Sequence, residues 1–218
     1  MNDPAFRSAN EYEHGFVASY FQGNPNLDPE VVQSLELNAE QSLIHDRLIA
    51  SGSVFYNRVE DLITFEDHGG IGTFVNSGHA QAVGVETSLE YRWKNGGLVR
   101  ANYSVQHAED VDQGTRLPNA PEHLARLQVR VPLWRDRIYL APEVRFVDYT
   151  MGNSGRIDGY WVSQLSLFTR ELIPGLEASA TLYNLFDAEI DHPISAEYIG
   201  NAMPQPGRTF RVKLTYRF

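Results

Sequence analysis

The sequence of 218 residues contains no cysteine, which excludes a disulfide scaffold and any zinc site built on thiolates. No stretch approaches the roughly 18 apolar residues of a transmembrane helix. Basic residues are outnumbered, with 18 Lys+Arg against 28 Asp+Glu and a net charge of −10, which disfavours nucleic acid as a partner. These absences leave a β-barrel membrane protein open, because such a barrel exposes only alternate residues to lipid.

The amino-terminal residues also lack an export signal. Neither a basic region, an apolar region nor a small-residue cleavage site follows Met1. Two interpretations remain: a cytoplasmic start, or a start inside a longer protein.

Apolar and polar residues alternate along most of the chain, which is the pattern of strands with one apolar face. In 206–218 the apolar series ends on Phe218 and the opposite face is cationic or polar. The same alternation occurs in 80–93, 97–107, 123–133, 137–147 and 175–182. Composition also predicts strands in 32–43, 48–65 and 159–170, without fixing which way their side chains face, and a further candidate strand in 12–21. No amphipathic helix of convincing length is present.

The connections between these segments alternate in length. Short gaps lie near 44–47, 94–96, 134–136 and 171–174, and long gaps rich in Gly, Asp, Asn and Pro lie near 66–79, 108–121, 148–158 and 187–206. A meander that crosses a membrane produces this parity, with short turns on one side and long loops on the other. We therefore predict an all-β fold, an antiparallel up-and-down meander of about nine or ten strands.

Aromatic residues fall at the predicted strand ends, as in the aromatic girdles of membrane barrels. One set is expected at the short turns and comprises Trp93, Trp134, Tyr216 and Phe218. The other is expected at the long loops and comprises Tyr149, Tyr160, Trp161, Phe186 and Phe210. The alternative is that they are ordinary residues of a soluble core.

Several segments resemble motifs of TonB-dependent outer-membrane receptors. The chain has GNPNLDPE at 23–30, FYNRVEDLI at 55–63, NSG at 76–78 followed by GVE at 84–86, and YNLFD at 183–187 followed by PGR at 206–208. Each piece alone is weak, and their joint order over 23–218 is strong. The resemblance assigns 23–218 to the carboxy-terminal part of the receptor barrel and leaves 1–22 as an amino-terminal segment with at most a partial strand.

The resemblance implies an outer-membrane transporter, not an enzyme, that takes up a metal chelate such as a ferric siderophore. Receptors of this family have about 22 strands around a plugged lumen, and this sequence contains neither the plug nor the segment that contacts the TonB energy-coupling protein. The expected protein is therefore part of a barrel, either a fragment or a truncated product. Its expected partners are outer-membrane lipid, the barrel-assembly machinery, the chelate, and TonB only through the missing plug. No cofactor is expected.

Candidate ligand-binding residues lie in the predicted long loops. They are Asp67, His68, His107, Asp191 and His192, whose imidazole and carboxylate groups are suited to iron or haem. The alternative is that these are solvated acidic loops.

The polar side of the predicted strands carries a second candidate site. Its cations are Arg92, Arg100, Arg126, Arg130, Arg145, Arg211, Lys213 and Arg217. If they face the lumen, they attract an anionic chelate. The last strand, with Phe210, Tyr216 and Phe218, resembles the signal that the barrel-assembly machinery reads.

Two rival functions remain open at this stage. A self-contained small outer-membrane barrel, porin-like or a protease, would need groups such as Asp187, Asp191 and His192 together for peptidase chemistry. A soluble β-sandwich binding module would bury its apolar faces between two sheets. The sequence does not distinguish a siderophore from haem or cobalamin as the ligand.

Overall fold

A computed structural model describes residues 5–135, 137–170, 173–194 and 198–218. Within these ranges the chain forms one short helix and 17 strands. In chain order they are β1 (Ala5–Arg7), α1 (Glu11–Gly15), β2 (Val17–Ala18), β3 (Phe21–Gln22), β4 (Glu30–Leu43), β5 (Leu48–Asp67), β6 (Gly72–Arg92), β7 (Leu98–Asp110), β8 (Thr115–Arg116), β9 (His123–Trp134), β10 (Ile138–Val147), β11 (Thr150–Gly152), β12 (Gly155–Ile157), β13 (Tyr160–Thr169), β14 (Leu176–Tyr183), β15 (Asp191–Pro193), β16 (Ala202–Pro204) and β17 (Thr209–Tyr216).

Nine long strands form a single antiparallel meander in the order β4-β5-β6-β7-β9-β10-β13-β14-β17. At the β4 edge, the three residues of β1 add a tenth, short strand. The predicted all-β meander of nine or ten strands is confirmed. In the described part of the chain, β1 and β17 do not pair with each other, so the sheet stays open.

Strand register gives the sheet one apolar and one polar face, because cross-strand partners share a face. The apolar face includes Leu35, Leu37, Val54, Tyr56, Val83, Val85, Leu89, Leu127, Val144, Leu165, Leu167, Leu182, Val212 and Leu214. The polar face includes Glu36, Ser53, Glu86, Ser88, Asn102, Arg126, Glu143, Gln164, Thr181 and Lys213. Register thereby settles the facing of 32–43, 48–65 and 159–170, which composition left undetermined.

No second layer covers the apolar face in the described ranges. Leu37 is 76% exposed and Phe210 is 79% exposed, although both lie in regular strands. The β-sandwich alternative is therefore wrong, because a sandwich buries this face. Along β6 the outward apolar series from Val83 to Trp93 covers about 33 Å of strand, or about 25 Å of height at a tilt of about 40°, which matches the lipid-facing band of a membrane barrel.

The predicted alternation of short and long connections is present everywhere along the meander except between β5 and β6. Short turns join β4 to β5, β6 to β7, β9 to β10 and β13 to β14, and long excursions join β7 to β9, β10 to β13 and β14 to β17. The prediction of a long loop at 66–79 is wrong, because β5 and β6 extend through most of this segment and are joined by a tight turn at 68–71. This hairpin rises above the apolar band because Asp61, at φ 56°, and a register irregularity between Val59 and Leu62 redirect the ladder without ending it.

The compact apolar core lies beside this raised hairpin, at the long-loop end. Phe21, Leu27, Ile63 and Phe74 are buried together, so the amino-terminal segment packs against β5 and β6. Within the candidate strand 12–21, the chain instead forms α1 and the small β2–β3 pair. Asn10 caps α1, accepting a hydrogen bond from Glu13 N at 2.9 Å, while Glu13 Oε2 accepts from Asn10 N at 2.8 Å. No helix in the described ranges has the length and apolar character needed to cross a membrane.

Candidate functional site

An open cavity of about 830 Å³ lies along the polar face. Six consecutive strands of the meander, β4 to β10, contribute to its lining, including Glu36, Ser51, Glu86, Asn102 and Arg126. The walls are polar because the strands place every second residue on this side. The cavity lies on the face that the sequence predicts to line a lumen.

Two glutamates on this face are each flanked by two arginines. Glu90 is 6% exposed; Arg100 Nε donates to its Oε2 at 2.6 Å, and Arg92 Nε lies 2.5 Å from its Oε1. Register explains the cluster, since Glu90 of β6 is the cross-strand partner of Arg100 of β7. Burial of a carboxylate at this position requires such cations.

The second cluster repeats the arrangement two strands further on. Glu143 is 6% exposed, Arg126 Nη2 donates to its Oε2 at 2.6 Å, and Arg145 Nε lies 3.6 Å from its Oε1. Each cluster therefore carries two cations and one anion, with a net charge of +1.

The other four predicted cations have different neighbours. Arg130 Nε donates to Gly96 O at 3.0 Å, and Arg217 Nη2 lies 3.6 Å from Glu177 Oε1. The Arg211 guanidinium lies 5.7 Å from the centre of the Tyr183 ring. Lys213 pairs across the strands with Ser179.

Glutamates offset most of the charge on this face. Six lie on it within the height of the band: Glu36, Glu40, Glu86, Glu90, Glu143 and Glu177. Eight cations against six anions leave an excess of only two positive charges. The alternation of side chains places both sets on one side, so the predicted cationic lumen is offset by carboxylates of the same strands.

The predicted loop residues lie in three separate places. Asp67 and His68 are at the tip of the β5–β6 hairpin, where Asp67 Oδ1 accepts from Gly70 N at 2.6 Å and His68 Nε2 lies 3.3 Å from Glu66 Oε2. His107, near the outer end of β7, lies 3.2 Å from Glu109 Oε2. These contacts are local, and they fit turn and strand-end stabilisation.

Asp191 and His192 lie in β15, beside two small cavities. His192 Nε2 is 3.3 Å from Tyr160 OH, and the two rings stack with centroids 6.1 Å apart. His192 lines both cavities, of about 220 and 200 Å³, and Asp191 lines the second. Across the described ranges, no three His, Asp or Glu side chains are close enough to hold a metal ion.

Three of the recognised motifs meet at one point above the band. Asn76 Nδ2 donates to Asp28 O at 2.9 Å and to Asp61 O at 2.8 Å, while Asp28 N donates to Asn76 Oδ1 at 2.8 Å. The motifs at 23–30, 55–63 and 76–78 are therefore joined by one asparagine. Sequence reasoning recognised these motifs separately and missed their contact, because it arises from long-range register.

The motifs at 183–187 and 206–208 also form one unit. Asn184 is buried with φ 48°, and its side chain makes two hydrogen bonds of 2.8 Å with the backbone of Ala188. Asp187 Oδ1 accepts from Arg208 N at 2.7 Å, so the end of β14 is tied to the start of β17. A Cβ at Gly207 would lie 2.5 Å from Asp187 Oδ1, so a larger residue there would displace the carboxylate that accepts this bond.

The model of the TonB dependent receptor-like β-barrel family matches residues 2–185. The chain belongs to the TonB-dependent receptor β-barrel family. A search of curated protein sequences gives no match. The family match ends before β17, so the last strand of this receptor barrel is supported by its pairing with β14 instead.

Solved structures of similar fold are receptors and transporters. The ferric-catecholate import receptor Fiu of E. coli K12 is 21% identical with a TM-score of 0.70, over 96% of this chain and 31% of Fiu. The copper transporter OprC is 20% identical with a TM-score of 0.78, over 99% and 36%. A mutant of the ferric enterobactin receptor PfeA of Pseudomonas aeruginosa, in complex with enterobactin, is 22% identical with a TM-score of 0.69, over 90% and 32%.

At sequence identities of 20–22%, the similarity to these structures shows that this chain shares their fold. This TonB-dependent receptor barrel chain spans about a third of the length of the receptors that it matches. The predicted resemblance is confirmed, and the outer membrane is the location that the fold implies.

Proposed function

We propose that the chain is the carboxy-terminal barrel portion of an outer-membrane receptor for active uptake of a ferric siderophore or a similar metal chelate. The observation that carries the proposal is the open meander with one exposed apolar face and one polar face, within a family-matched sequence. A sheet of this kind separates lipid from a polar passage. In this proposal 23–218 is the barrel part and 1–22 is its amino-terminal segment.

The chelate is inferred from similar proteins and from the polar face. Fiu and PfeA are ferric-catecholate and ferric enterobactin receptors, whereas OprC is a copper transporter. The excess of two cations on the polar face favours an anionic cargo. The loop residues Asp67, His68, His107, Asp191 and His192 remain proposed ligand contacts, with the pair beside the small cavities best placed.

A transport role is favoured over peptidase activity. The protease alternative would use Asp187, Asp191 and His192, yet the Asp187 carboxylate bonds the Arg208 amide at the strand junction. Proposed partners are outer-membrane lipid, the chelate, TonB through a plug domain, and the barrel-assembly machinery. The exposed β17 residues Phe210, Tyr216 and Phe218 are proposed as the assembly signal, offered by an edge strand able to augment another sheet.

A hybrid receptor tests the proposal. The chain replaces the matching part of Fiu in cells that lack their own catecholate receptors, and uptake of radioactive iron as a ferric catecholate is measured. Uptake above that of cells without the hybrid supports the proposal. A hybrid that assembles in the outer membrane and moves neither ferric catecholate nor copper would contradict it.

The polar face is tested in the same hybrid. Arg211→Glu with Lys213→Glu reverses two cations that have no carboxylate partner among the described contacts, and uptake is expected to fall several-fold because the face becomes acidic. The control, Arg58→Glu with Arg156→Glu, makes the same change of charge at the long-loop end. Equal uptake by both variants would show that the lumen-facing cations do not contribute to uptake.

A further inference from the structure

Basic residues concentrate at the short-turn end of a chain that is acidic as a whole. The short turns at 44–47, 93–97, 135–137 and 170–175 contain five Lys or Arg and three Asp or Glu, a net charge of +2. The remainder of the chain therefore carries −12. The five cations are Arg47, Lys94, Arg135, Arg137 and Arg170.

Two of these turns place a tryptophan at the edge of the apolar band and a cation directly after it. Trp93 completes the outward series of β6 and packs edge-on against Tyr91, with ring centroids 4.9 Å apart. Lys94 follows and is exposed. The β6–β7 turn and the β9–β10 turn are neighbours in the sheet, because β7 pairs with β9.

The β9–β10 turn repeats the arrangement with the aid of a bulge. A register shift beside Leu133 makes Trp134 the partner of Ile138, which lies on the apolar face. The Arg135 guanidinium lies 5.5 Å from the centre of the Trp134 ring. A cation over a tryptophan face is held by the ring quadrupole, and here this fixes Arg135 beside the band.

The third tryptophan provides an internal comparison. Trp161 is 62% exposed on the apolar face at the long-loop end, where its ring lies 4.7 Å from that of Phe146. Its chain neighbours are Tyr160 and Val162, and neither is charged. The combination of tryptophan and cation is therefore a property of the short-turn edge.

We propose that the Trp93–Lys94 and Trp134–Arg135 pairs bind the phosphate of an anionic phospholipid headgroup in the leaflet at the short-turn end. Tryptophan favours the boundary between acyl chains and water, so a cation one residue further out lies at the height of the phosphates. Lipid A also carries phosphate. The two pairs lie at the short-turn end of the strands, however, and the acidic long loops lie at the other end. The inference rests on the proposed membrane-spanning barrel.

Lipid-selective quenching of tryptophan fluorescence tests the site. The chain carrying Trp161→Phe, which leaves Trp93 and Trp134, is inserted into phosphatidylcholine vesicles with a small, equal fraction of brominated phosphatidylglycerol or brominated phosphatidylcholine. Stronger quenching by brominated phosphatidylglycerol is expected. The preference is expected to fall roughly fivefold for each cation removed in Lys94→Gln and Arg135→Gln, and to weaken in high salt.

Arg58→Gln with Arg156→Gln is the matched control, because it removes two exposed cations from the other end and should leave the preference intact. Equal quenching by both brominated lipids would overturn the site, as would a preference that survives in the Lys94→Gln, Arg135→Gln variant. Displacement by lipid A with no preference for phosphatidylglycerol would also overturn it. Failure of the chain to insert into neutral vesicles would contradict the proposed barrel itself.

Discussion

A buried carboxylate, Glu30, ties three distant parts of the chain together. It is 6% exposed and accepts hydrogen bonds from Arg7 Nε at 2.6 Å, Arg7 Nη2 at 2.9 Å and Ile63 N at 3.0 Å. Burial alone would raise the pKa of Glu30, but the Arg7 guanidinium and the Ile63 amide hold it below its ordinary value. The amino-terminal segment is therefore fastened to β4 and β5 by one ionised group.

Glu30→Gln is expected to lower the free energy of unfolding by about 1–2 kcal/mol at neutral pH, with the half-exposed Arg7 limiting the loss. Because the folded pKa is depressed, the wild-type advantage is present above the unfolded pKa of about 4.5 and disappears as pH falls through the folded value. Denaturant titrations at several pH values measure it. Glu60→Gln, which removes a more exposed partner of Arg58, should change stability by less than about 0.5 kcal/mol.

His79 and Asp112 form a second titrating contact, at the outer surface above the band. Asp112 Oδ2 lies 2.9 Å from His79 Nδ1 and accepts from His79 N at 3.0 Å. The hydrogen bond to Asp112 raises the pKa of His79 above 6.5. The stabilisation is complete below the unfolded pKa and is lost as pH rises through the folded one.

An NMR titration of the His79 ring should therefore give a pKa above 6.5, and Asp112→Asn should move it downward. Equal pKa values in the wild type and the Asp112→Asn variant would show that the contact does not persist in solution.

At the scale of the elements, the β5–β6 hairpin depends on a glycine in the middle of a strand. A Cβ at Gly84 would lie 2.5 Å from Phe55 Cζ and 2.7 Å from Val105 O. A glycine inside a strand indicates either a bulge or a close approach of another part of the chain. Register is continuous through Gly84, so the glycine serves close approach to the Phe55 ring and the β7 backbone.

Gly84→Ala is expected to destabilise the folded protein by about 1–3 kcal/mol, because Phe55 and β7 have to move apart. Gly52→Ala is the matched control on the neighbouring strand, where a Cβ would meet only Glu86 O, at 3.5 Å. Guanidinium unfolding in detergent, followed by tryptophan fluorescence, compares the two. Similar midpoints for both variants would contradict the packing account.

Prediction from sequence succeeded where alternation alone decides the outcome. The period of two located the long strands, placed Val212 and Leu214 opposite Lys213, and gave the parity of the turns. It failed at 66–79, where glycines suggested a loop and cross-strand hydrogen bonds continued the hairpin. It also failed to foresee the pairing of Arg100 with Glu90, since such partners depend on register, which only the folded sheet fixes.

At the scale of the whole molecule, the long strands form a single-layer sheet whose apolar side is uncovered in the described ranges. Its compact apolar cluster around Phe21 and Phe74 lies outside the band, so folding buries little of the apolar face. Lipid or detergent has to cover that face. One edge of β17 pairs with β14, and the other edge pairs with no strand in the described part of the chain. This open edge adds a second requirement, because it is a template for another strand.

The refolded protein is therefore expected to show strand-rich circular dichroism in detergent micelles and to aggregate when detergent falls below its critical concentration. Sedimentation velocity across that concentration measures the change. A monodisperse monomer in detergent-free buffer would contradict a lipid-facing role for Leu37, Val85 and Leu214.

The directions of the strands constrain how many further strands are needed to close this sheet into a barrel. Nine long strands alternate in direction, so β4 and β17 both run from the long-loop end to the short-turn end. Two strands that run the same way cannot close a fully antiparallel ring, and any closure has to add an odd number of strands between them. The three residues of β1 occupy the first of those places, and they run in the direction that closure requires.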